Sequence, residues 1–258
     1  MWKRARLELG KQTLCNNGTN GPTSPTAMKE RRQNRITTIR MMTSNAYVVA
    51  NGRKAILIDC GMKKKEKKIL AALAQMQLVP QDIQLIILTH THYDHAGSLK
   101  ALQQITGAKV LVHKAEAACL EEGHCAFPKG TMWFPKIMSA IGNALNKWVG
   151  RYASVAPDIA ISKRFDLKPF GIDGYVLPTP GHTAGSLSVV IEKNHAVVGD
   201  TLFNIFKHSV YPPYANDQKA LLRSWKELLG IGCQIFYPGH GKPFTRERLQ
   251  KSYTEKSG

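Results

Sequence analysis

The sequence predicts an α/β fold, and two observations carry that prediction. Short apolar runs rich in Ile, Leu and Val recur along the chain, and such runs are typical of buried strands. Stretches with helical spacing of apolar residues alternate with these runs, which indicates sheets covered by helices. The length of 258 residues fits one large domain or two small ones, and a hydrophobic content of 43% suffices for a sizeable core.

The predicted elements of the first half alternate between strands and helices. Strands are predicted over residues 36–42, 46–50, 55–61, 85–88 and 108–113. Helices are predicted over residues 64–78, 96–106 and 114–122. The dipeptide Asn51-Gly52 is a strong hairpin signal between the second and third strands. This βαβα order is that of an α/β protein.

Four metal-type side chains follow the fourth predicted strand within six residues: His90, His92, Asp94 and His95. Neutral imidazole and carboxylate are ligands that suit zinc and related divalent ions. His90 and His92 share a face, because side chains two apart on an extended backbone point the same way. Asp94 and His95 lie beyond the strand, where the chain can turn back. Two pairs on one turn indicate two metals close together.

This His-x-His-x-Asp-His pattern after an apolar strand resembles the metallo-β-lactamase superfamily. The resemblance implies an αβ/βα sandwich of two mixed β-sheets flanked by helices, with the site at one edge. It covers most of residues 35–245 and departs over an insert at about 123–160. The expected organisation is a poorly ordered basic tail over residues 1–27, followed by a single metallo-hydrolase domain over residues 28–258.

The second half supplies the remaining ligands that the resemblance implies. His182 stands in a loop after a predicted strand, Asp200 follows a hairpin over residues 187–198, and His240 ends a strand that begins at residue 233. Carried over residue by residue, two metal sites result. One site takes His90, His92 and His182, and the other takes Asp94, His95 and His240. Asp200 and a water bridge the two, and Asp94 and Asp200 are the carboxylates assigned to catalysis.

Asp59, at the end of the third strand, has two interpretations. In the family this aspartate sits under the metal site, where it would accept a hydrogen bond from a ligating imidazole. Alternatively, it caps the helix that follows.

The resemblance implies two divalent ions, zinc before iron or manganese, and a shared water of lowered pKa that can attack a carbonyl or phosphoryl centre. Glyoxalase II-like thioesterases and lactonases carry the bridging aspartate, whereas the antibiotic-degrading enzymes usually lack it. We therefore expect a hydrolase of a small-molecule lactone or thioester. The alternatives are a metal-dependent phosphodiesterase or nuclease, a β-lactamase-like hydrolase, an iron-dependent dioxygenase and a metal-free binding protein.

The insert carries an apolar stretch between the two ligand-bearing halves. Helical spacing is predicted over residues 136–149. Trp133, Phe134 and Met138 are candidates for the wall of a substrate pocket, a lid or a dimer face, because Trp and Met make adaptable apolar surfaces. A helix packed on the core is the alternative, and the oligomeric state stays open between monomer and dimer. His124 and Cys125 lack matching partners and are left out of the metal set.

The formal net charge of +18 is concentrated in the first forty residues, in the run Lys63–Lys68 and in the tail Arg246–Lys256. An anionic partner such as nucleic acid is one interpretation. We prefer the interpretation that these residues lie in solvated tails and on a solvated helix face.

The chain shows neither a 20-residue apolar span nor an apolar region behind its basic start, so no membrane helix or secretory signal is expected. Five cysteines without a framework spacing favour free thiols in a reducing cytoplasm.

Overall fold

A computed structural model describes residues 34–145 and 150–258. Arg32–Gly258 forms one compact unit. The predicted tail over residues 1–27 lies outside the described residues, as do positions 146–149 at the end of the predicted insert helix.

Twelve strands of the described chain form two six-stranded sheets. The strands of the first sheet are β1 Arg35–Arg40, β2 Asn45–Asn51, β3 Lys54–Ile58, β4 Ile83–Ile87, β5 Lys109–His113 and β6 Ile159–Ile161. The strands of the second are β7 Phe165–Asp166, β8 Gly174–Pro178, β9 Leu187–Ile191, β10 His195–Asn204, β11 Ile235–Gly241 and β12 Phe244–Thr245. The helices are α1 Glu66–Gln75, α2 Tyr93–Ala96, α3 Leu99–Thr106, α4 Ala117–Glu122, α5 Trp133–Ala144, α6 Gln218–Ile231 and α7 Arg246–Ser257.

Both sheets are mixed, and the spatial order of their strands follows the sequence. In the first sheet, β1, β2 and β3 pair antiparallel, and β3 to β6 pair parallel. In the second, only β10 and β11 pair parallel. The parallel strands of the first sheet are joined by crossovers that contain helices, as parallel pairing requires.

Three apolar clusters lie between the four layers of the domain, which are helices, the first sheet, the second sheet and helices. Strand alternation sends Ile56 and Ile58 of β3 into a cluster shared with Val176 and Val189 of the second sheet. The opposite face, which includes Leu57, packs against α1, α3 and α4. The outer face of the second sheet packs against α6 and α7. The predicted sandwich of two mixed sheets with helices on both outer faces is therefore confirmed.

The C-terminal basic stretch was expected to be solvated, and it is only partly so. It forms α7, in which Leu249 is fully buried and the hydroxyl of Ser252 accepts a hydrogen bond from the Val210 amide at 3.3 Å. The side chain of Arg248 also donates to the Phe206 carbonyl at 2.8 Å. Lys251 and Lys256 are exposed, as the solvated interpretation predicts, whereas Leu249 docks on the second sheet and α6.

Candidate metal centre

Three groups of side chains lie close enough to hold metal ions, and they gather at one edge of the sandwich. Each group places its ligand atoms within 4.8 Å of one another. The groups are His90–His92–His182, His90–His95–Asp200 and Asp94–His95–His240. The structure thus brings together all seven residues that the sequence proposed as ligands.

The first four ligands come from the segment that follows β4. Buried pairing with β3 and β5 fixes the end of this strand, and the chain then turns at Thr89. His92 has extended backbone angles and precedes α2, whose first turn contains Asp94 and His95. This short helix turns the second pair of ligands back towards the first.

The other three ligands come from one loop and two strands of the second sheet. His182 lies in the loop after β8, Asp200 lies within β10, and His240 lies within β11. Strand β10 extends six residues beyond the predicted end at residue 198, because its later part pairs with β11. Gly239 permits this approach, since a Cβ there would lie 2.1 Å from Asp200 Oδ1.

The separations between ligand atoms fit metal coordination. Ligands about 2.0–2.1 Å from a tetrahedral ion lie roughly 3.3 Å from one another. His182 Nε2 lies 3.1 Å from His92 Nδ1, and Asp200 Oδ2 lies 3.5 Å from His182 Nε2. In the second group, His240 Nε2 lies 3.5 Å from Asp94 Oδ2 and 3.3 Å from Asp200 Oδ2. Asp200 therefore faces both groups.

Buried polar atoms at this edge lack hydrogen-bond partners. His90 Nε2, His95 Nε2 and Asp200 Oδ1 are inaccessible to solvent and make no hydrogen bond among the described residues, although His95 Nε2 lies 3.3 Å from Asp200 Oδ1. An unpaired buried polar atom costs several kcal/mol in an apolar reference medium and about 1–3 kcal/mol in proteins. Three such atoms facing one space fit a site for divalent cations, which would take them as ligands.

The opposite nitrogens of the histidine rings are held by hydrogen bonds. His182 Nδ1 donates to the Tyr214 carbonyl at 2.9 Å, and His240 Nδ1 donates to the Thr43 carbonyl at 2.5 Å. A carbonyl oxygen can only accept, so each Nδ1 carries the proton. In the neutral ring, Nε2 then offers its lone pair to the centre, which is the arrangement that metal-ligating histidines use.

Asp59 holds two of the rings. Its Oδ2 lies 2.9 Å from His95 Nδ1, and its carboxylate accepts hydrogen bonds from the Thr89 amide and hydroxyl. The Thr89 hydroxyl lies 3.1 Å from His90 Nδ1 and can accept its proton. Helix α1 begins later, at Glu66 with Lys65 as its N-cap. The alternative that Asp59 caps the following helix is therefore wrong.

Burial and neighbouring charge move the pKa values at this centre in opposite directions. Burial lowers the pKa of His92 and of His182 to about 4, which favours neutral, ligand-competent rings. Burial also acts against a charged His95, but Asp200 and Asp59 outweigh it and raise the pKa of that ring. The pKa of Asp200 is lowered despite its burial, because His240 and His95 favour the carboxylate.

Glu116 is a structural support that the sequence reasoning missed. It is buried, and its Oε2 accepts hydrogen bonds from the Thr91 amide at 3.0 Å and the Thr91 hydroxyl at 2.5 Å. Thr91 stands between His90 and His92, so Glu116 fixes the backbone of the ligand segment. No local pattern identifies this role, because the partners are 25 positions apart.

The insert borders the centre through three contacts. The ring of Phe127 lies 5.9 Å from that of Tyr93, the residue after His92. Gly130 forms a β-bridge with Tyr214, whose carbonyl binds His182, and the Thr131 amide donates to the Pro213 carbonyl at 2.8 Å. The insert therefore lies beside both histidine-bearing halves of the centre.

Helix α5 of the insert begins at Trp133, three residues before the predicted start. Its buried residues are Pro135 and Ser139. Trp133, Phe134 and Met138 are 76%, 54% and 42% exposed, so the alternative that they pack into the core is wrong. A cleft of about 340 Å³ opens beside the start of this helix and is lined by residues that include Met132, Phe206 and Tyr211. Trp133, Phe134 and Met138 are not among its lining residues.

Among residues 34–145 and 150–258, no helix is both long and apolar enough to cross a membrane.

Comparison with known proteins gives a consistent result. The family model of the "Metallo-beta-lactamase superfamily" matches residues 40–240. A probable metallo-hydrolase of Streptococcus pyogenes is 30% identical over 210 residues, covering 78% of this chain and 80% of that protein.

A more distant relative has a named activity. It is an atrochrysone carboxyl ACP thioesterase of Aspergillus fumigatus, 24% identical over 79% of this chain. The match covers 52% of that protein, so the chain spans about half of its length. Among solved structures, the BLEG-1 B3 metallo-beta-lactamase matches with a TM-score of 0.64 and 24% identity, covering 85% of this chain and 97% of that chain. At this identity the likeness shows the fold.

Proposed function

The chain belongs to the metallo-β-lactamase superfamily as a metal-dependent hydrolase, and on that premise we propose that it cleaves an ester-type bond, a lactone or thioester, with two metal ions. The observation that carries the proposal is the position of Asp200. Its carboxylate lies within 3.8 Å of His90, His95, His182 and His240, which belong to both ligand groups. A single carboxylate so placed is suited to join two cations.

The proposed assignment follows the two groups. His90, His92 and His182 hold one ion, and Asp94, His95 and His240 hold the other, with Asp200 between them. A ligand set of histidine nitrogens and carboxylate oxygens favours zinc over metals that prefer sulfur ligands, with iron and manganese as alternatives.

When bound, two divalent ions supply a water of lowered pKa and polarise the oxygen of the bond under attack. The protein residues prepare this chemistry. Neutral His92 and His182 offer lone pairs, because burial disfavours their protonation. Asp94 and Asp200 bring negative charge that offsets the charge of the cations. Asp59 and Glu116 hold the ligand segment in place through His95 and Thr91.

Two observations support a small-molecule substrate with an ester-type bond. The insert beside the centre carries the exposed apolar side chains Trp133, Phe134 and Met138, which suit the apolar part of an acyl group better than a polyanion. One relative is named a thioesterase. We propose that the insert forms a wall of the substrate site.

The second candidate is a phosphodiesterase or nuclease, and the net charge of +18 favours it. Its chemistry would use the same ligand set, so only the manner of holding the substrate separates the two candidates. The four free cysteines of the described chain, Cys60, Cys119, Cys125 and Cys233, fit a reducing compartment, and we propose the cytoplasm.

A substrate panel tests the proposal. The metal-loaded protein is assayed with lactones, acyl thioesters, a β-lactam, a phosphodiester and single-stranded RNA and DNA, beside the same protein treated with a chelator. We expect metal-dependent turnover of a lactone or thioester. Efficient cleavage of nucleic acid with none of the esters would replace the first candidate by the second.

A further inference from the structure

Two thiols outside the metal centre lie in direct contact. Cys119 is in α4, and Cys125 follows three residues after that helix ends. Their sulfur atoms are 2.8 Å apart, and both residues are partly accessible to solvent. Cys60 and Cys233, by contrast, are fully buried. The two partly accessible cysteines of the described chain are therefore the two that face each other.

The backbone around the pair is fixed by hydrogen bonds. The His124 amide donates to the Cys119 carbonyl at 3.0 Å, and the Tyr152 hydroxyl donates to the same carbonyl at 3.2 Å. Gly123 reverses the chain with a φ of +66°, and a Cβ there would lie 2.4 Å from the Tyr152 carbonyl oxygen. This closed turn holds Cys125 against Cys119.

The distance and the chemistry of the pair both suit a disulfide. Its S–S bond is about 2.05 Å long, so the sulfurs need to approach by less than about 1 Å. Hydrogen bonding with Cys125 lowers the pKa of the Cys119 thiol, whereas burial raises the pKa of Cys60. The thiolate is the nucleophile in thiol oxidation, so Cys119 is the favoured attacking group.

We propose that Cys119 and Cys125 form a reversible disulfide when the protein meets a peroxide. The Cys119 thiolate attacks one oxygen of hydrogen peroxide, the O–O bond breaks, and Cys119 becomes a sulfenic acid while the other oxygen leaves as water after protonation. The Cys125 thiol then attacks that sulfur, the S–S bond forms, and a second water leaves. Two thiols are oxidised by two electrons and one peroxide is reduced to two waters. A thiol reductant reverses the change by exchange.

The pair is connected to the ligand segment on both sides. Glu116 stands one helical turn before Cys119 and holds the amide and hydroxyl of Thr91, between His90 and His92. Phe127 stands two residues after Cys125, and its ring lies 5.9 Å from that of Tyr93, the residue after His92. Closing the disulfide moves both attachments relative to His92. The pair therefore acts as a redox control of metal binding at this centre, and this second step rests on the proposed function.

Peptide mapping tests the first step. Tryptic cleavage after Lys114 and Lys129 releases residues 115–129, which contain Cys119 and Cys125 and no other cysteine. The full-length protein is treated with graded hydrogen peroxide, alkylated and digested. We expect this peptide to lose two hydrogens and escape alkylation, and a thiol reductant to restore it. Cys60 and Cys233 serve as internal controls and should stay reduced at the same dose.

Single-cysteine variants test whether the oxidation is specific to the pair of Cys119 and Cys125 or general to all thiols. In Cys125→Ser, Cys119 should proceed to sulfinic acid, and in Cys119→Ser, Cys125 should remain reduced. The disulfide is overturned if wild-type residues 115–129 stay reduced at doses that oxidise Cys60 or Cys233.

Zinc competition with a chromogenic chelator tests the second step. The zinc affinity of the oxidised wild type should fall about tenfold, the smaller loss seen when partners of metal ligands are disturbed. Peroxide-treated Cys119→Ser should show no change. If reduced and oxidised wild type bind zinc with equal affinity, the proposal that the disulfide controls metal binding is wrong. Absence of zinc binding in both forms would count against the proposed function instead, while the peptide map would still decide the disulfide.

Discussion

The metal centre and helix α5 of the insert that borders it are constrained by the fold to very different degrees. Most side chains of the centre are buried, and hydrogen bonds to Asp59, Tyr214 and Thr43 fix individual rings. Helix α5 buries only Pro135 and Ser139, forms hydrogen bonds with the Phe127 backbone through Asn143, and exposes its large apolar side chains. The contrast separates a centre whose geometry must be exact to a fraction of an ångström from a surface that can adapt to its ligand.

Asp200→Asn should produce the largest effect, because the amide keeps the size of the side chain and removes the negative charge shared by both ligand groups. We expect the loss of one metal ion and a fall in kcat of order 10²-fold or more. Metal analysis and steady-state kinetics measure both. Asp166→Asn, which removes an exposed carboxylate of the second sheet, is the control. Full activity with two metals retained would show that Asp200 does not join the ions.

Asp59→Asn should weaken the centre from beneath. The φ of Asp59 is +62°, and asparagine tolerates this left-handed conformation better than most residues. The substitution leaves the backbone intact while weakening the hydrogen bonds to His95 and Thr89. A 10–100-fold loss of metal affinity is expected, as for other partners of ligating histidines. Unchanged affinity in a chelator competition would limit Asp59 to a structural role.

Replacing Trp133 and Met138 by alanine should change substrate binding and spare the metals. Both side chains are exposed, so their removal costs little stability, whereas a bulky acyl substrate would lose apolar contact. We expect KM for long-chain esters to rise several-fold with kcat and metal content unchanged. Ile105→Ala, an exposed apolar residue of α3, is the matched control. Equal effects of the two variants would remove α5 from the substrate site.

Salt and the basic tail should have the smallest effects. Deleting residues 1–27 is expected to leave the hydrolysis of a small ester almost unchanged. Raising salt from 50 to 200 mM should shift the rate less than about threefold, whereas 6–10 phosphate contacts would reduce affinity by roughly 10³-fold or more. Steep salt dependence together with nucleic-acid cleavage would favour the nuclease. The substrate would then be held by basic residues instead of by α5.

The metal ligands are easier to predict from the sequence than the residues that hold them in place, because the two groups differ in how far apart along the chain their partners lie. Four ligands are packed into six residues after one apolar strand, so their chemistry is visible locally. His182, Asp200 and His240 are single residues on separate elements, a loop and two strands, and only the order of the elements identifies them as ligands. The contacts of Asp59 with His95 and of Glu116 with Thr91 span 36 and 25 positions, which no local pattern encodes.

The fold shows the same limit. Several elements with regular apolar spacing were predicted, including α1 with its buried Ile69 and Leu73. Helix α6 was not predicted, although it buries Leu221, Trp225 and Leu228 at helical spacing. Helix α7 was missed because it is strongly polar and buries only Leu249 and Ser252. Such a helix depends on docking to its neighbours, and periodicity alone cannot detect it.

The metal content of the purified protein tests the central claim most directly. Elemental analysis by plasma mass spectrometry, on protein dialysed free of loose ions, counts every transition metal per chain. Two ions per chain are predicted, with zinc as the leading metal and one ion lost in Asp200→Asn. A protein that holds no transition metal as purified, and binds none after incubation with zinc, iron or manganese, would contradict the account.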